Sequence, residues 1–214
     1  MVINKYLAEV LGTLILVAMG SMTILAVGGA LGGAEMVAIA FGFGLALLAG
    51  IWAVGHVSGA HFNPAVTLAM FLDKRISLSE AIGYWIGQFV GGLLGALVVM
   101  AAAGSSDAVA GTMTGYEKLE TAITVEILLT AVFVWVILAA VKRGTSFTPA
   151  AIALTLVGVH LAGIPFSGAS VNPARSFGPA VIAGDLSQIA VYIYAPLIGA
   201  AIAWGLYRLF PVND

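Results

Sequence analysis

The sequence has no cysteine among its 214 residues, which excludes disulfides, thiolate chemistry and cysteine-ligated metals. Charge is also scarce, because Asp, Glu, Lys and Arg make up 8% of the chain, whereas soluble domains carry about 25%. A net charge of −2 offers no basic surface for nucleic acid. Hydrophobic residues account for 61% of the chain and the mean hydropathy is +1.10. The sequence therefore predicts an integral membrane protein whose solvent is the lipid bilayer.

Six apolar stretches approach the length of about 20 residues that a membrane-spanning helix needs. They cover residues 5–28, 34–57, 79–103, 121–141, 148–165 and 187–210. Two further apolar stretches are too short to span; one follows Asn63 and ends near Leu72, and the other follows Asn172 and ends near Ala183. Their length is typical of re-entrant segments. We therefore expect an all-α membrane protein with six transmembrane helices and two re-entrant half-helices.

The positions of the basic residues predict the orientation, since cytoplasmic loops carry an excess of Lys and Arg. With a cytoplasmic N-terminus, the residues on the inner side are Lys5, Lys74, Arg75, Lys142, Arg143 and Arg208. Only Lys118 and Arg175 then lie on the outer side. This bias favours six spans with both termini in the cytoplasm, and it makes residues 104–120 an extracellular connecting loop.

Two halves of the sequence, residues 1–103 and 121–214, resemble each other within a single membrane domain. SGAHFNPAV begins at Ser58, and SGASVNPAR begins at Ser167. AEVLGT near the start of the first half corresponds to VEILLT in the second. Each half holds three spans, an odd number, so the second half must be inverted relative to the first. Inverted repeats place a functional site near the bilayer midplane, between the halves.

The tripeptide Asn-Pro-Ala opens both short helices, as Asn63, Pro64 and Ala65 and as Asn172, Pro173 and Ala174. Asn is a strong N-cap and Pro suits the first helical position, so one such tripeptide would be an ordinary cap. A pair in register predicts that two helix N-termini, each with about half a positive charge, meet in mid-membrane. If both Asn amides point into a pore, a passing water accepts from them and a proton wire is interrupted. The preceding turns are expected to expose backbone carbonyls to that pore.

These motifs closely resemble those of the aquaporin, or major intrinsic protein, family over essentially the whole chain. The resemblance includes the strings GHVSGAHFNPAVT and SVNPARSFGPA and the Glu-x-x-x-Thr repeats. It implies a right-handed bundle of six helices and two half-helices, and a homotetramer with one pore per subunit. The pattern is similar to that of the family's water-selective members, prokaryotic ones among them.

The resemblance also implies a second constriction, or neck, on the extracellular side, formed by Phe43, His160, Ala169 and Arg175. Water-selective members of the family combine Phe, His and Arg with a small fourth residue, whereas glycerol channels have Gly in place of the His. Ser176 and Ala180 fit the water type. Ile193 departs from it, since water channels have Trp there. The positive charge of Arg175 repels cations, and an intramembrane Arg is functional by default.

Two buried carboxylates, Glu9 and Glu126, occupy corresponding places in the first and fourth spans. We expect each to brace its re-entrant turn by accepting hydrogen bonds from backbone donors. The backbone carbonyls predicted to line the pore are those of Gly59, Ala60, His61, Phe62, Gly168, Ala169 and Ser170. Gln88 is expected to hydrogen-bond between helices.

The leading hypothesis is a passive water channel that excludes protons and ions, located in a prokaryotic inner membrane. A glycerol or small-solute facilitator is the alternative within the family, favoured by Ala169 and Ile193. A proton-coupled transporter using Glu9 and Glu126 is the alternative from another class. The chain has neither a Gly-x-Ser-x-Gly elbow nor a His-Glu-x-x-His helix, so an enzyme is not expected. No cofactor or metal is expected either.

Overall fold

The computed structural model describes residues 2–29 and 32–212, and within them the secondary structure is entirely helical. The helices, numbered in chain order, are α1 (Val2–Ala26), α2 (Gly33–Ser58), α3 (Pro64–Leu72), α4 (Leu78–Ala103), α5 (Ser106–Ala110), α6 (Leu119–Arg143), α7 (Thr148–Ser167), α8 (Pro173–Ala183) and α9 (Ile189–Leu209).

Six of these helices, α1, α2, α4, α6, α7 and α9, are long and apolar enough to cross a membrane. They confirm the six predicted spans, with ends that differ by a few residues from the sequence-based limits. The two half-helices α3 and α8 also begin and end where the sequence predicts. Hydropathy locates such elements well because the bilayer sets their length.

The helices pack with a two-fold pattern. In the first half α1 packs against α2 and α4, and in the second half α6 packs against α7 and α9. Each half-helix crosses to the other half, so that α3 packs on α9 and α8 packs on α4. This exchange is what an inverted repeat requires, since it brings the N-termini of α3 and α8 together at the centre of the bundle.

The crossing of α4 and α8 depends on two glycines. A Cβ atom at Gly178 would overlap the backbone of Gly92, and one at Gly92 would overlap the carbonyl of Ala174. Small residues allow membrane helices to approach this closely. The contact places the start of α8, with Asn172 and Arg175, beside the middle of a spanning helix.

The connecting segment 104–120 contains a short helix that the sequence analysis did not identify. This helix, α5, is capped by the hydroxyl of Ser105, which accepts from the backbone N–H of Ala108 at 3.2 Å. It packs on α8 and α4. The limits of the two halves and the extracellular side of this segment remain predictions.

Candidate functional site

Both half-helices begin with the same cap. The Asn63 side-chain oxygen accepts from the backbone N–H of Ala65 at 2.8 Å. The Asn172 oxygen accepts from Ala174 at 3.0 Å and from Arg175 at 3.2 Å. Because each oxygen caps its own helix, each amide nitrogen is turned away from that helix and towards the centre of the protein.

Each amide nitrogen then donates to the opposite half. Asn63 Nδ2 donates to the carbonyl of Val171 at 2.8 Å, and Asn172 Nδ2 donates to the carbonyl of Phe62 at 2.9 Å. The sequence analysis considers the two Asn amides as donors to water in a pore, and the structure shows that each amide also links the two halves. An amide nitrogen carries two hydrogens, so one N–H per Asn remains to donate into the lumen.

The turns before the two Asn residues have matching strained backbones. Ala60 and Phe62 have φ of 57° and 50°, and their counterparts Ala169 and Val171 have φ of 49° and 45°. Such left-handed conformations cost about 1–3 kcal/mol each and persist only where the surroundings impose them. In each turn the backbone N–H groups of two consecutive residues donate to one buried carboxylate.

Glu9 receives the N–H groups of the first turn. Its carboxylate accepts from the backbone of His61 at 3.0 Å and of Phe62 at 2.7 Å, and from the Ser58 hydroxyl at 2.6 Å. Gln88 on α4 donates to it at 2.7 Å and also donates to Thr67 at 2.7 Å. The carboxylate is completely buried, so these donors replace its hydration.

Glu126 has the same arrangement in the second turn. It accepts from the backbone of Ser170 at 2.8 Å and of Val171 at 2.7 Å, and from the Ser167 hydroxyl at 2.7 Å. A tyrosine completes each turn: Tyr84 donates to the Ser58 carbonyl at 2.6 Å, and Tyr192 donates to that of Ser167 at 2.8 Å.

Replacing Glu126 with Gln should lower the thermal stability of the protein in detergent. The backbone N–H groups of Ser170 and Val171 bond to different carboxylate oxygens. Whichever way a Gln amide is turned, one N–H would face an NH₂ group. A buried donor left unsatisfied costs about 1–3 kcal/mol. The control is Glu117→Gln at an exposed position; equal unfolding midpoints for both variants would refute the brace.

Three of the four predicted neck residues lie in contact. The rings of Phe43 and His160 stack with centroids 4.7 Å apart and planes inclined by 20°. The Arg175 guanidinium carbon lies 4.7 Å from the Phe43 ring centroid. Arg175 Nη1 donates to the carbonyl of Thr112 at 3.4 Å. This cluster comes from α2, α7, α8 and the connecting segment, and it is almost completely buried.

Two polar atoms in this cluster lack a partner among the described residues, namely His160 Nε2 and Arg175 Nε. His160 Nδ1 is occupied by the carbonyl of Leu156 at 3.0 Å. Buried polar atoms of native proteins are usually satisfied by protein or by ordered water. The unpaired atoms are therefore the groups with which a molecule entering the neck would hydrogen-bond.

A cavity lies on each side of this cluster, and Phe43, His160 and Arg175 contribute to both. The first cavity, of about 110 Å³, is largely apolar and extends past Asn63 and Asn172 towards Thr148. The second, of about 170 Å³, lies against Met113, Gly115 and Gly168. A water needs about 10–15 Å³ of such space, so both cavities have room for several.

The predicted pore carbonyls divide into two groups. The residues of the first group line a cavity: the first cavity is lined by Gly59, Ala60, His61 and Ser170, and the second by Gly168. Phe62 and Ala169 line neither of these cavities. The Phe62 carbonyl accepts from Asn172, and the methyl group of Ala169 faces Gly163 of α7. Two residues of the site were not predicted from the sequence: Val171, which lines the first cavity, and Thr112, whose carbonyl accepts from Arg175.

A bundle of six spanning helices, in which two half-helices meet beside the first cavity and a buried neck separates it from the second, defines a membrane channel. The sequence profile of the major intrinsic protein family matches residues 1–207. The chain is 39% identical to the glycerol uptake facilitator protein-like 6 of Lactiplantibacillus plantarum, over 99% of this chain and 100% of that protein. It is 38% identical to aquaporin Z of Photorhabdus laumondii, over 97% of each chain.

Its fold is similar to the crystal structure of the aquaglyceroporin from Plasmodium falciparum, with a TM-score of 0.87 and 21% identity over 97% of this chain and 96% of that one. At this identity the likeness concerns the fold alone. The profile and the sequence relatives show that the chain belongs to the major intrinsic protein family, the aquaporins. Members of this family are membrane channels for water and small solutes, not enzymes.

Proposed function

We propose that this protein is a passive water channel that excludes protons and ions. The observation that carries the proposal is the neck of Phe43, His160 and Arg175 between two cavities. Its unpaired atoms, His160 Nε2 and Arg175 Nε, offer hydrogen bonds to one water at a time. Phe43 supplies an apolar wall that cannot replace the hydration shell of an ion.

Proton exclusion is proposed to arise where α3 and α8 meet. Each N-terminus carries about half a positive charge, and half-helix dipoles of this kind oppose cations in narrow pores. Asn63 and Asn172 each retain one N–H for the lumen. A water that accepts from them is oriented so that it cannot readily accept from its neighbours, which breaks a proton wire.

Glycerol conduction is the second candidate within the family. A relative is named as glycerol uptake facilitator-like, and Ala169 is small. The methyl group of Ala169 faces Gly163 instead of the cavities, so we assign the width of the neck to Phe43 and His160. Two stacked rings favour water over a three-carbon solute.

A proton-coupled transporter has less support, because Glu9 and Glu126 are each held by at least three hydrogen bonds. A carboxylate that carries protons must exchange them with a water path, and neither Glu lines the two cavities described above. An imposed proton gradient should leave water and solute flux unchanged. Flux that follows the gradient would contradict the channel mechanism.

The decisive experiment is stopped-flow light scattering of proteoliposomes, first with an impermeant osmolyte and then with glycerol. We expect rapid shrinkage with a low activation energy and no fast re-swelling in glycerol. Rapid re-swelling would overturn water selectivity in favour of the solute facilitator. Shrinkage no faster than that of empty liposomes would overturn the water channel altogether.

Mercury salts should not inhibit the channel, because the chain has no thiol. Val171 lines the first cavity beside Asn172, and Val171→Cys should therefore confer inhibition that a reducing thiol reverses. Val132→Cys, on the exposed face of α6, is the matched control and should stay insensitive. Equal insensitivity of both variants would place Val171 outside the conducting path.

We further propose a homotetramer in a prokaryotic inner membrane with both termini in the cytoplasm. The exposed apolar side chains on all six spanning helices support a membrane location, and the bias of basic residues supports the orientation. The tetramer is proposed from the family resemblance. Chemical cross-linking in native membranes tests the tetramer. Protease accessibility of a tag at each terminus in inside-out vesicles tests the orientation.

A further inference from the structure

Three buried hydroxyl groups form a chain behind the neck. The Thr114 and Ser176 hydroxyls lie 2.7 Å apart, and those of Ser176 and Ser170 lie 2.5 Å apart. The Ser170 hydroxyl donates to the carbonyl of Asn172 at 2.9 Å. All three side chains are buried, with Thr114 the most exposed at 7%. The chain runs from the connecting segment to the start of α8.

The direction of these hydrogen bonds follows from counting protons. A hydroxyl has one hydrogen to donate and can accept twice. Ser170 uses its hydrogen on the Asn172 carbonyl, so Ser176 must donate to Ser170, and Thr114 must donate to Ser176. The hydrogens of Ser170 and Ser176 are therefore both used within this chain, and Thr114 is its first donor. The Thr114 hydroxyl also lies beside that of Tyr192, whose own hydrogen is donated to the Ser167 carbonyl.

The same segment also holds the neck cation. Thr112, two residues before Thr114, provides the carbonyl that accepts from Arg175 Nη1 at 3.4 Å. The Thr112 side chain is itself buried, and its hydroxyl donates to the carbonyl of Val109 at 2.8 Å. Thr114 is bound to Ser176, the residue that follows Arg175. The segment is thus tied to α8 at two neighbouring points.

Close backbone packing reinforces this attachment. A Cβ atom at Gly168 would lie 3.2 Å from the Cα of Thr114, so the segment is seated directly on the second re-entrant turn. Gly168 also lines the second cavity. Movement of Thr114 would therefore displace a wall of that cavity as well as the carbonyl that holds Arg175.

The first half of the molecule lacks this dependence on a loop. There Thr67 corresponds to Ser176, and its hydroxyl contacts His61 Nδ1 at 3.0 Å. The remaining partner is Gln88, which donates to Thr67 at 2.7 Å from within the spanning helix α4. Among the residues that the structure describes, only the second half uses a residue of the connecting segment, and only that half places a cation in the neck.

We propose that Thr114 is a positioning residue for selectivity, because its hydroxyl holds segment 112–114 against α8 and so fixes the Thr112 carbonyl that orients Arg175. The inference rests on the proposed water-channel function and deepens it. Thr114 lines neither of the two cavities beside the neck. It acts through Arg175.

The test compares Thr114→Val with Thr114→Ser in proteoliposomes. Thr114→Val keeps the shape of the side chain but removes its hydrogen-bond donor. We expect proton conductance and glycerol permeability to rise about threefold, which is the effect expected from the loss of one ordinary hydrogen bond. Thr114→Ser keeps the hydroxyl and should restore wild-type values. Thr124→Val is the matched control, because that hydroxyl bonds only to its own helix, at the carbonyl of Glu120.

A second arm separates positioning from general destabilisation. If Thr114 acts through Arg175, Thr114→Val should add nothing to the leak of Arg175→Val, since coupled residues give non-additive effects. An additive effect, or failure of Thr114→Ser to restore selectivity, would overturn the inference. If Thr114→Val does not fold, Ser176→Ala breaks the same chain and decides the question by the same measurements.

The wild-type protein distinguishes failure of this inference from failure of the proposed function. If wild-type liposomes conduct water and Thr114→Val liposomes have the same proton and glycerol leak as the wild type, only the role of Thr114 is overturned. Wild-type liposomes that shrink no faster than empty ones would overturn the channel function and the role of Thr114 together.

Discussion

Replacing Arg175 with Val should make the channel leak protons and small cations. Arg175 is the neck residue that carries a fixed charge, and its guanidinium lies against Phe43 where the two cavities meet. A unit charge about 4 Å from a cation repels it by about 4 kcal/mol at an effective dielectric constant of 20. Losing even a third of that barrier corresponds to about a tenfold rise in conductance. A pH-sensitive dye inside proteoliposomes under an imposed potential measures the effect.

The control for this prediction is Arg208→Val, which removes a cation from an exposed position in the last turn of α9. It should leave proton conductance unchanged. Water permeability of Arg175→Val should stay within about twofold of the wild type, because removing the side chain widens the neck while losing only one of its hydrogen-bonding groups. A proton leak equal to that of the wild type would show that the half-helix dipoles alone exclude protons.

The double variant His160→Gly with Phe43→Trp should convert the channel to one that passes glycerol. His160 stacks on Phe43 at 4.7 Å, so removing the imidazole opens one wall of the neck. An indole at position 43 keeps an aromatic face for the carbon backbone of the solute. We expect glycerol permeability to rise about tenfold, a barrier reduction of about 1.4 kcal/mol, measured by re-swelling in stopped-flow experiments.

Matched substitutions outside the neck are available in the same chain. His56 and Phe41 lie exposed on α2, so His56→Gly with Phe41→Trp makes identical chemical changes away from the cavities. That control should leave glycerol permeability at its wild-type value. If the neck variant also fails to raise glycerol flux, while water flux is retained, Phe43 and His160 do not set the size limit.

Hydropathy and repeated motifs were sufficient to predict the helical architecture. The six spans are set by bilayer thickness, and the two half-helices by short apolar runs after Asn63 and Asn172. The short helix α5 escaped prediction because Ser106–Ala110 is only five residues long. A helix of this length has no periodicity to detect and depends on packing against α8 and α4.

The candidate site was only partly predictable. The family resemblance indicated Phe43, His160 and Arg175, and the structure brings them together. Phe62 and Ala169 line neither of the two cavities. Both residues have a left-handed backbone, and the direction of their carbonyl and side-chain groups could not be read from the sequence. No local pattern reveals that the Phe62 carbonyl is taken by Asn172, a residue from the other half.

The sequence by itself determined the membrane environment, the number of spans, the inverted repeat and the family, since these depend on composition, segment length and local motifs. Only the tertiary structure decided that each Asn amide donates one N–H to the opposite turn. It also decided that the two carboxylate oxygens of Glu126 accept from two different backbone N–H groups. Finally, it placed Thr112 and Thr114 beside Arg175 and the residue that follows it. Those relationships join residues far apart in the chain, and hydrogen-bond geometry between them exists only once the helices have packed.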